Sequence, residues 1–222
     1  MRTRRFANRA EAGRLLADKL LAYAGRPDVL ILALPRGGVP VAFEVAERLG
    51  APLDIFLVRK LGVPFHQELA MGAIASGGVC LLNDDVVQSL RISRKTIDTV
   101  AQRERHELER REHDYRRGTT PPAIAGRTVI LVDDGLATGA SMRAAVAAVK
   151  LAHPARTVVA VPVAAVETAD ALEAEVDQLV CVERIEDFCA VGEWYDDFSQ
   201  VTDAQVRLLL QRAAEFSISS RA

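Results

Sequence analysis

The chain predicts an α/β fold: a doubly wound parallel sheet with a small hood and a charged helical insertion. Three observations predict it. Short runs that are apolar on both faces recur along the 222 residues, as strands inside a parallel sheet do. Helical segments of about 10 to 15 residues alternate with them in βαβ order. Turns rich in glycine and other small residues follow two of the apolar runs, at "PRGG" and "DDGLATGAS".

The elements follow in order. Ala7 to Ala24 reads as an amphipathic helix, with Leu15, Leu16, Leu20 and Leu21 on one stripe and Arg9, Glu11, Arg14 and Asp18 largely off it. "VLILAL", Val29 to Leu34, is the first buried strand, broken by "PRGG", and Val39 to Leu49 is helical. "LDIFLVRK" reads as the second strand, ending in Arg59 and Lys60, and "MGAIASGGVCLLND" as a hairpin closed by Gly77 and Gly78. Ser93 to Arg117 is helical and densely charged, and Ile97, Val100, Leu108 and Tyr115 are too sparse there for a buried helix. It reads as a solvated arm over the core or against a second subunit, or as a lid whose arginines meet an anionic ligand. "TVILVDD", "RTVVAVPV" and "QLVCVE" are further strands. The helix Ser141 to Ala152 turns Met142, Ala145, Val146 and Val149 toward the sheet. "SISSRA", Ser217 to Ala222, is expected to be a disordered tail. We expect one domain over 1–222, with a core over about 26–183, the helical insertion over about 84–125 and the hood over 184–216.

Composition narrows the function classes. The chain is 50% hydrophobic and 26% charged, a globular profile, and its net charge of −2 offers no global attraction to nucleic acid. "MRTRRF" is basic like the start of a signal peptide, but "ANRAEAGRLLADKL" follows where an uninterrupted apolar stretch is required. Secretion and membrane insertion are therefore not expected. Cys80, Cys181 and Cys189 form no C-x-x-C pair, which suits a reducing cytoplasm.

The chemistry concentrates in "VILVDDGLATGASM", Val129 to Met142. Open α/β sheets bind ligands beyond the carboxyl ends of their strands, where Asp133 and Asp134 sit. Successive strand residues point to opposite faces, so both carboxylates enter one crevice only if the chain is already turning, which Gly135 permits. Thr138, Gly139, Ala140 and Ser141 then open a helix whose free N–H groups attract phosphate. Hydroxyl acceptors beside a phosphate cradle suit a ribose 5-phosphate. The spelling matches neither a P-loop nor a dinucleotide fingerprint. The competing structural account is that the aspartates cap the next helix.

This stretch resembles the phosphoribosyl-diphosphate signature of the type I phosphoribosyltransferases. The resemblance implies that Asp133 and Asp134 hold the ribose hydroxyls, and that Ala137 to Ser141 (Ala137, Thr138, Gly139, Ala140, Ser141) bind the 5-phosphate. "LPRGGVP" is similar to the family's pyrophosphate loop, with Gly37 and Gly38 for close approach, Arg36 for charge, and the Arg36–Gly37 bond as the candidate for a cis peptide. "VRK" resembles the basic pair of the next strand, so Arg59 and Lys60 would face the diphosphate. Asp133, Asp134, Arg36 and Lys60 are the implied catalytic set. The whole chain, through "LPRGGVPVA", "VRKLGVP", "ELAMGAIA" and "VGEWYDDF", also resembles an uncharacterised bacterial subgroup of that family.

The implied reaction moves the 5-phosphoribosyl group of phosphoribosyl diphosphate (PRPP) to a nitrogenous base with release of pyrophosphate. Mg²⁺ is the implied cofactor, held mainly by PRPP. Where some members carry an acidic residue in the turn, this chain has Ala137, leaving Asp134 as the candidate base. Phe188, Trp194 and Tyr195, in the aromatic-rich "FCAVGEWYDDF", are candidates for stacking on the acceptor, or for simple packing. His66 lies where the family has a catalytic loop, or is an exposed loop histidine. A homodimer is expected. A second hypothesis is a non-catalytic PRPP- or nucleotide-binding regulator; a third, a phosphohydrolase, lacks a placeable nucleophile and acid pair.

Overall fold

The computed structural model describes the backbone of residues 5–64 and 66–219, and their side chains except at 66–68 and 216–219. Five parallel strands form the centre in the order β2-β1-β6-β7-β8: β1 (Val29–Ala33), β2 (Leu53–Ile55), β6 (Thr128–Val132), β7 (Arg156–Ala165) and β8 (Gln178–Ile185). Every residue of β1 and β6 is buried, the reason these runs lack alternation. Val29, Ile31, Ala33, Ile130 and Val132 face one side with α1 (Arg9–Lys19) and α2 (Gly38–Leu49). Leu30, Leu32, Val129 and Leu131 face the other, where α5 (Ala140–Leu151) and α6 (Val166–Glu173) supply Met142, Ala145, Val149 and Leu172. Helices on both faces make the sheet doubly wound, as the sequence predicts. Each fully buried Leu, Ile or Val contributes roughly 1.5–3 kcal/mol.

"LDIFLVRK" is not one strand. β2 ends at Ile55, and Val58 begins β3 (Val58–Val63) of a separate antiparallel sheet with β4 (His66–Ala75) and β5 (Val79–Leu82). The cause is a local clasp: the Leu57 N–H donates to Ser76 Oγ at 2.8 Å, and the Ser76 N–H to the Leu57 carbonyl at 2.8 Å, drawing the chain off the central sheet. The hairpin closes at Gly77 and Gly78, with φ of 82° and 78°, as expected from the glycine pair. This small sheet is the hood of the fold class.

The charged insertion is α3 (Asp84–Ser89) and α4 (Arg94–Arg116). Contrary to the sequence reading, α4 buries a continuous stripe: Ile97, Ala101, Glu104, Leu108 and Tyr115. The spacing is helical, but alanine and a paired glutamate occupy places where only large apolar residues were counted. Arg116 anchors its end, pairing with Asp54 at 3.0 Å and donating to the Ile55 carbonyl at 3.0 Å.

The segment after β8, the expected 184–216 hood, runs against the amino-terminal segment. The Phe6 N–H donates to the Trp194 carbonyl and the Asp196 N–H to the Phe6 carbonyl, each at 2.8 Å, zipping it to the amino-terminal segment before α7 (Asp203–Ser219) packs beside α2. Helix α7 also takes in Ser217 to Ser219, expected to be disordered, and the rest of that tail lies outside the described residues. Among the described residues no helix is long and apolar enough to cross a membrane.

Candidate functional site

The Leu34 N–H donates to the Val132 carbonyl at 2.9 Å, so β1 and β6 stay paired to the edge of the cleft. The chain bends at Asp134, just past the end of β6, and the two carboxylates find different partners. Asp133 lines a cavity of about 120 Å³ with Pro35, Val58, Arg59, Arg111 and Ser141. Asp134 is not among the residues lining that cavity. Its Oδ2 accepts a 2.8 Å bond from Arg9 Nε, and its carbonyl accepts a 2.6 Å bond from the Tyr195 hydroxyl. Burial, reinforced by the charge of Asp134, holds the Asp133 carboxyl well above the usual carboxylate range. Burial also raises Asp134, with Arg9 opposing it.

The "PRGG" loop lies directly on this pair. A Cβ on Gly37 would collide with Asp134 Oδ2, and one on Gly38 would sit 2.7 Å from the Val132 carbonyl oxygen and 2.9 Å from Asp133 Cα. Only glycine allows that approach. The cis bond is Pro35–Arg36, one residue earlier than the Arg36–Gly37 bond expected. Arg36 reaches Asp203 at 3.8 Å, and Asp203 also accepts a 2.6 Å bond from the Tyr115 hydroxyl.

Ala137 to Ser141 form a tight turn into α5. Gly139 caps the helix in the left-handed region at φ 69°, with no side chain bonded across the cap. The aspartates therefore do not cap α5. The turn is fixed from behind: Leu136 N–H donates to the Val163 carbonyl at 2.9 Å, and Thr168 Oγ1 to the Ala137 carbonyl at 2.6 Å. Thr138, Ala140 and Ser141 are exposed, beside the positive end of the α5 dipole.

The basic pair separates. Alternation along β3 sends Arg59 toward α4 and Lys60 to the opposite, exposed face, so the two cannot meet one diphosphate from one side. Arg59 lines the cavity and is gripped by Glu104, at 2.7 Å from its Nε and 2.6 Å from its Nη2. Lys60 is not among the residues lining the cavity.

The aromatic candidates pack. Tyr195 is 2% exposed, lies 5.5 Å from the Phe6 ring, and spends its hydroxyl on Asp134. Phe188 and Trp194 stack at 6.4 Å over the same small cluster. None of the three lines the cavity. The His66 side chain lies outside the described residues.

Two residues of the site were not singled out from sequence. Arg9 carries a signal in hindsight: it falls three and seven residues before Ala12 and Leu16, on the buried stripe of α1. Arg111 sits at the exposed edge of the buried stripe of α4, three residues after Leu108 and four before Tyr115, and borders the cavity.

Comparison with known proteins bears on this geometry. The profile of the phosphoribosyl transferase domain matches residues 66–197, a span that includes the aspartate turn and the start of α5. Two Mycobacterium tuberculosis proteins with the provisional name of phosphoribosyl transferase are 44% identical over 208 residues, covering 94% of this chain and 47% of theirs. The chain thus spans about half the length of the curated relatives it matches. A protein named bifunctional protein PyrR, from Chloroflexus aurantiacus, is 36% identical over 129 residues, 57% of this chain and 65% of its own. A crystal structure from Thermus thermophilus superposes with a TM-score of 0.82 at 44% identity, covering 94% of this chain and 98% of that one. An aspartate-ended strand feeding an uncapped helix start is thus the centre of a matched span exceeding half the sequence, and the chain belongs to the phosphoribosyl transferase family.

Proposed function

We propose that the protein transfers the 5-phosphoribosyl group of PRPP to a nitrogenous base and releases pyrophosphate. One observation carries the reading: Asp133, Arg59 and Ser141, from three separate elements, line a single cavity beside the free amino-terminal turn of α5. The C1–O bond to the diphosphate breaks as the ring nitrogen bonds to C1, through an oxocarbenium-like transition state. Thr138 to Ser141 bind the 5-phosphate, Asp133 accepts from a ribose hydroxyl, and Arg36 and Arg59 neutralise the leaving group. Asp134 serves as a brace, since its carboxylate is paired with Arg9 and pressed on Gly37. That pairing argues against Asp134 as the base. The acceptor is then one that needs little deprotonation.

Among the described residues no three His, Cys, Asp or Glu side chains come together as a metal cage. The donor set fits a magnesium ion carried on substrate oxygens and water, with Asp133 as its carboxylate neighbour. When bound, the ion would supply positive charge to the departing diphosphate. The setting proposed is a cytoplasmic homodimer, the commonest symmetric assembly.

The test is pyrophosphate release from PRPP and Mg²⁺ with a pool of purine and pyrimidine bases, the products read by mass spectrometry. Base-dependent release with a new nucleotide mass is expected. Replacing both Asp133→Asn and Asp134→Asn should abolish PRPP binding in a folded protein; retained binding would overturn the assignment. Binding without turnover would identify the non-catalytic regulator instead.

A further inference from the structure

We propose that the charged insertion supplies a wall of the anion site, with Arg111 as a direct ligand of the diphosphate; this deepens, and rests on, the reading above. Helix α4 buries Glu104, Leu108 and Tyr115, and Arg111, exposed at the edge of that stripe three residues after Leu108, borders the cavity. Leu108 and Tyr115 bury apolar surface, while Glu104 and Arg111 carry charge. Glu104, only 8% exposed, grips Arg59 from behind. Glu107, one turn before Arg111, accepts from Arg111 Nε at 2.8 Å and approaches Arg59 Nη1 at 4.0 Å. Two guanidiniums from different elements are thus braced by neighbouring glutamates and border the same cavity as Asp133 and Ser141.

The glutamates hold orientation without filling the donor capacity. A guanidinium has five N–H groups, and the bond from Arg111 to Glu107 uses its Nε–H, leaving the terminal nitrogens for an anion. The cavity also sets a scale. At about 120 Å³ it is well below the roughly 300–1,000 Å³ of sites for drug-sized ligands, so it suits the anionic end of the donor rather than the whole molecule. Arg110, the adjacent residue, pairs with Glu107 and Asp114 and does not line the cavity, so it is a built-in control.

The test is calorimetric titration of the full chain with pyrophosphate, and separately with PRPP, in the presence of Mg²⁺. Arg111→Ala should weaken pyrophosphate binding about tenfold to a hundredfold, the range for a charge-assisted bond. Arg111→Lys should restore part of the loss, and Arg110→Ala should stay within about twofold of the parent. In turnover, Arg111→Ala should raise the KM for PRPP while leaving the KM for the base unchanged, a split that general loosening of α4 would not produce. Arg111 is 44% exposed, so the variant is expected to keep the parent's thermal midpoint. A parent that binds both ligands with Arg111→Ala binding equally well would overturn this inference alone. A parent that binds neither would overturn the transferase reading and this inference together.

Discussion

Replacing Arg9 with alanine tests the architecture of the aspartate turn. Arg9 Nε lies 2.8 Å from Asp134 Oδ2, with the two side chains 11% and 14% exposed. The guanidinium also donates to the Ser199 carbonyl at 2.8 Å and sits 3.9 Å over the Phe198 ring. Breaking a buried pair from one side costs about 3–5 kcal/mol, because the remaining charge is left in a poor dielectric. The open cleft favours the low end of that range, and the lost ring contact adds up to about 1 kcal/mol. A loss of about 3 kcal/mol in a chain of this size lowers the melting temperature by roughly 10 °C.

The pH dependence gives the sharper check. Burial already raises Asp134 above the unfolded value and Arg9 opposes it, so removing Arg9 raises it further. A carboxyl raised on folding binds more protons in the native state, so its contribution is intact below the unfolded pKa and is lost as pH rises through the folded one. The gap between parent and Arg9→Ala should therefore be small near pH 4 and widest at pH 8. Adding Asp134→Asn to Arg9→Ala should recover most of the loss. Melting curves across that pH range measure both effects. A loss below about 1 kcal/mol, or one independent of pH, would refute the brace.

Two more predictions follow from the same contacts. Gly38→Ala places a Cβ against the backbone of Val132 and Asp133, so it should cost about 1–3 kcal/mol and weaken PRPP binding by displacing Asp133; an unchanged melting curve with full binding would contradict the close approach. Arg116→Ala should cost about 3 kcal/mol or more in urea unfolding, because Asp54 would stay buried without its partner and α4 would lose its anchor. A change near zero there would show that α4 is held mainly by its apolar stripe.

The two-sided strands were legible because a parallel sheet covered on both faces leaves nothing to alternate. The aspartate turn was legible because its parts are consecutive: two carboxylates, a glycine, and a helix start without a cap. Arg59 and Lys60 were harder. Adjacent in the chain, they read as a pair, yet adjacency along a strand means opposite faces, and the Leu57–Ser76 clasp that moves them into another sheet spans 19 residues. The aromatic cluster misled for a related reason, since rings suited to stack on a base are equally suited to fill a core, and Phe6 was there to be covered.

What this sequence determined by itself was local: the two-sided buried strands, the glycine turns and the helix start without a side-chain cap. Only the tertiary structure decided which charges meet. Arg9 comes to Asp134 across 125 residues, and Glu104 to Arg59 across 45. In the linear pattern each is one charge on a helix already rich in charges, and periodicity treats such residues as solvent-facing. Their meaning depends on desolvation and on an opposite charge at hydrogen-bond distance, and both exist only once the layers have packed.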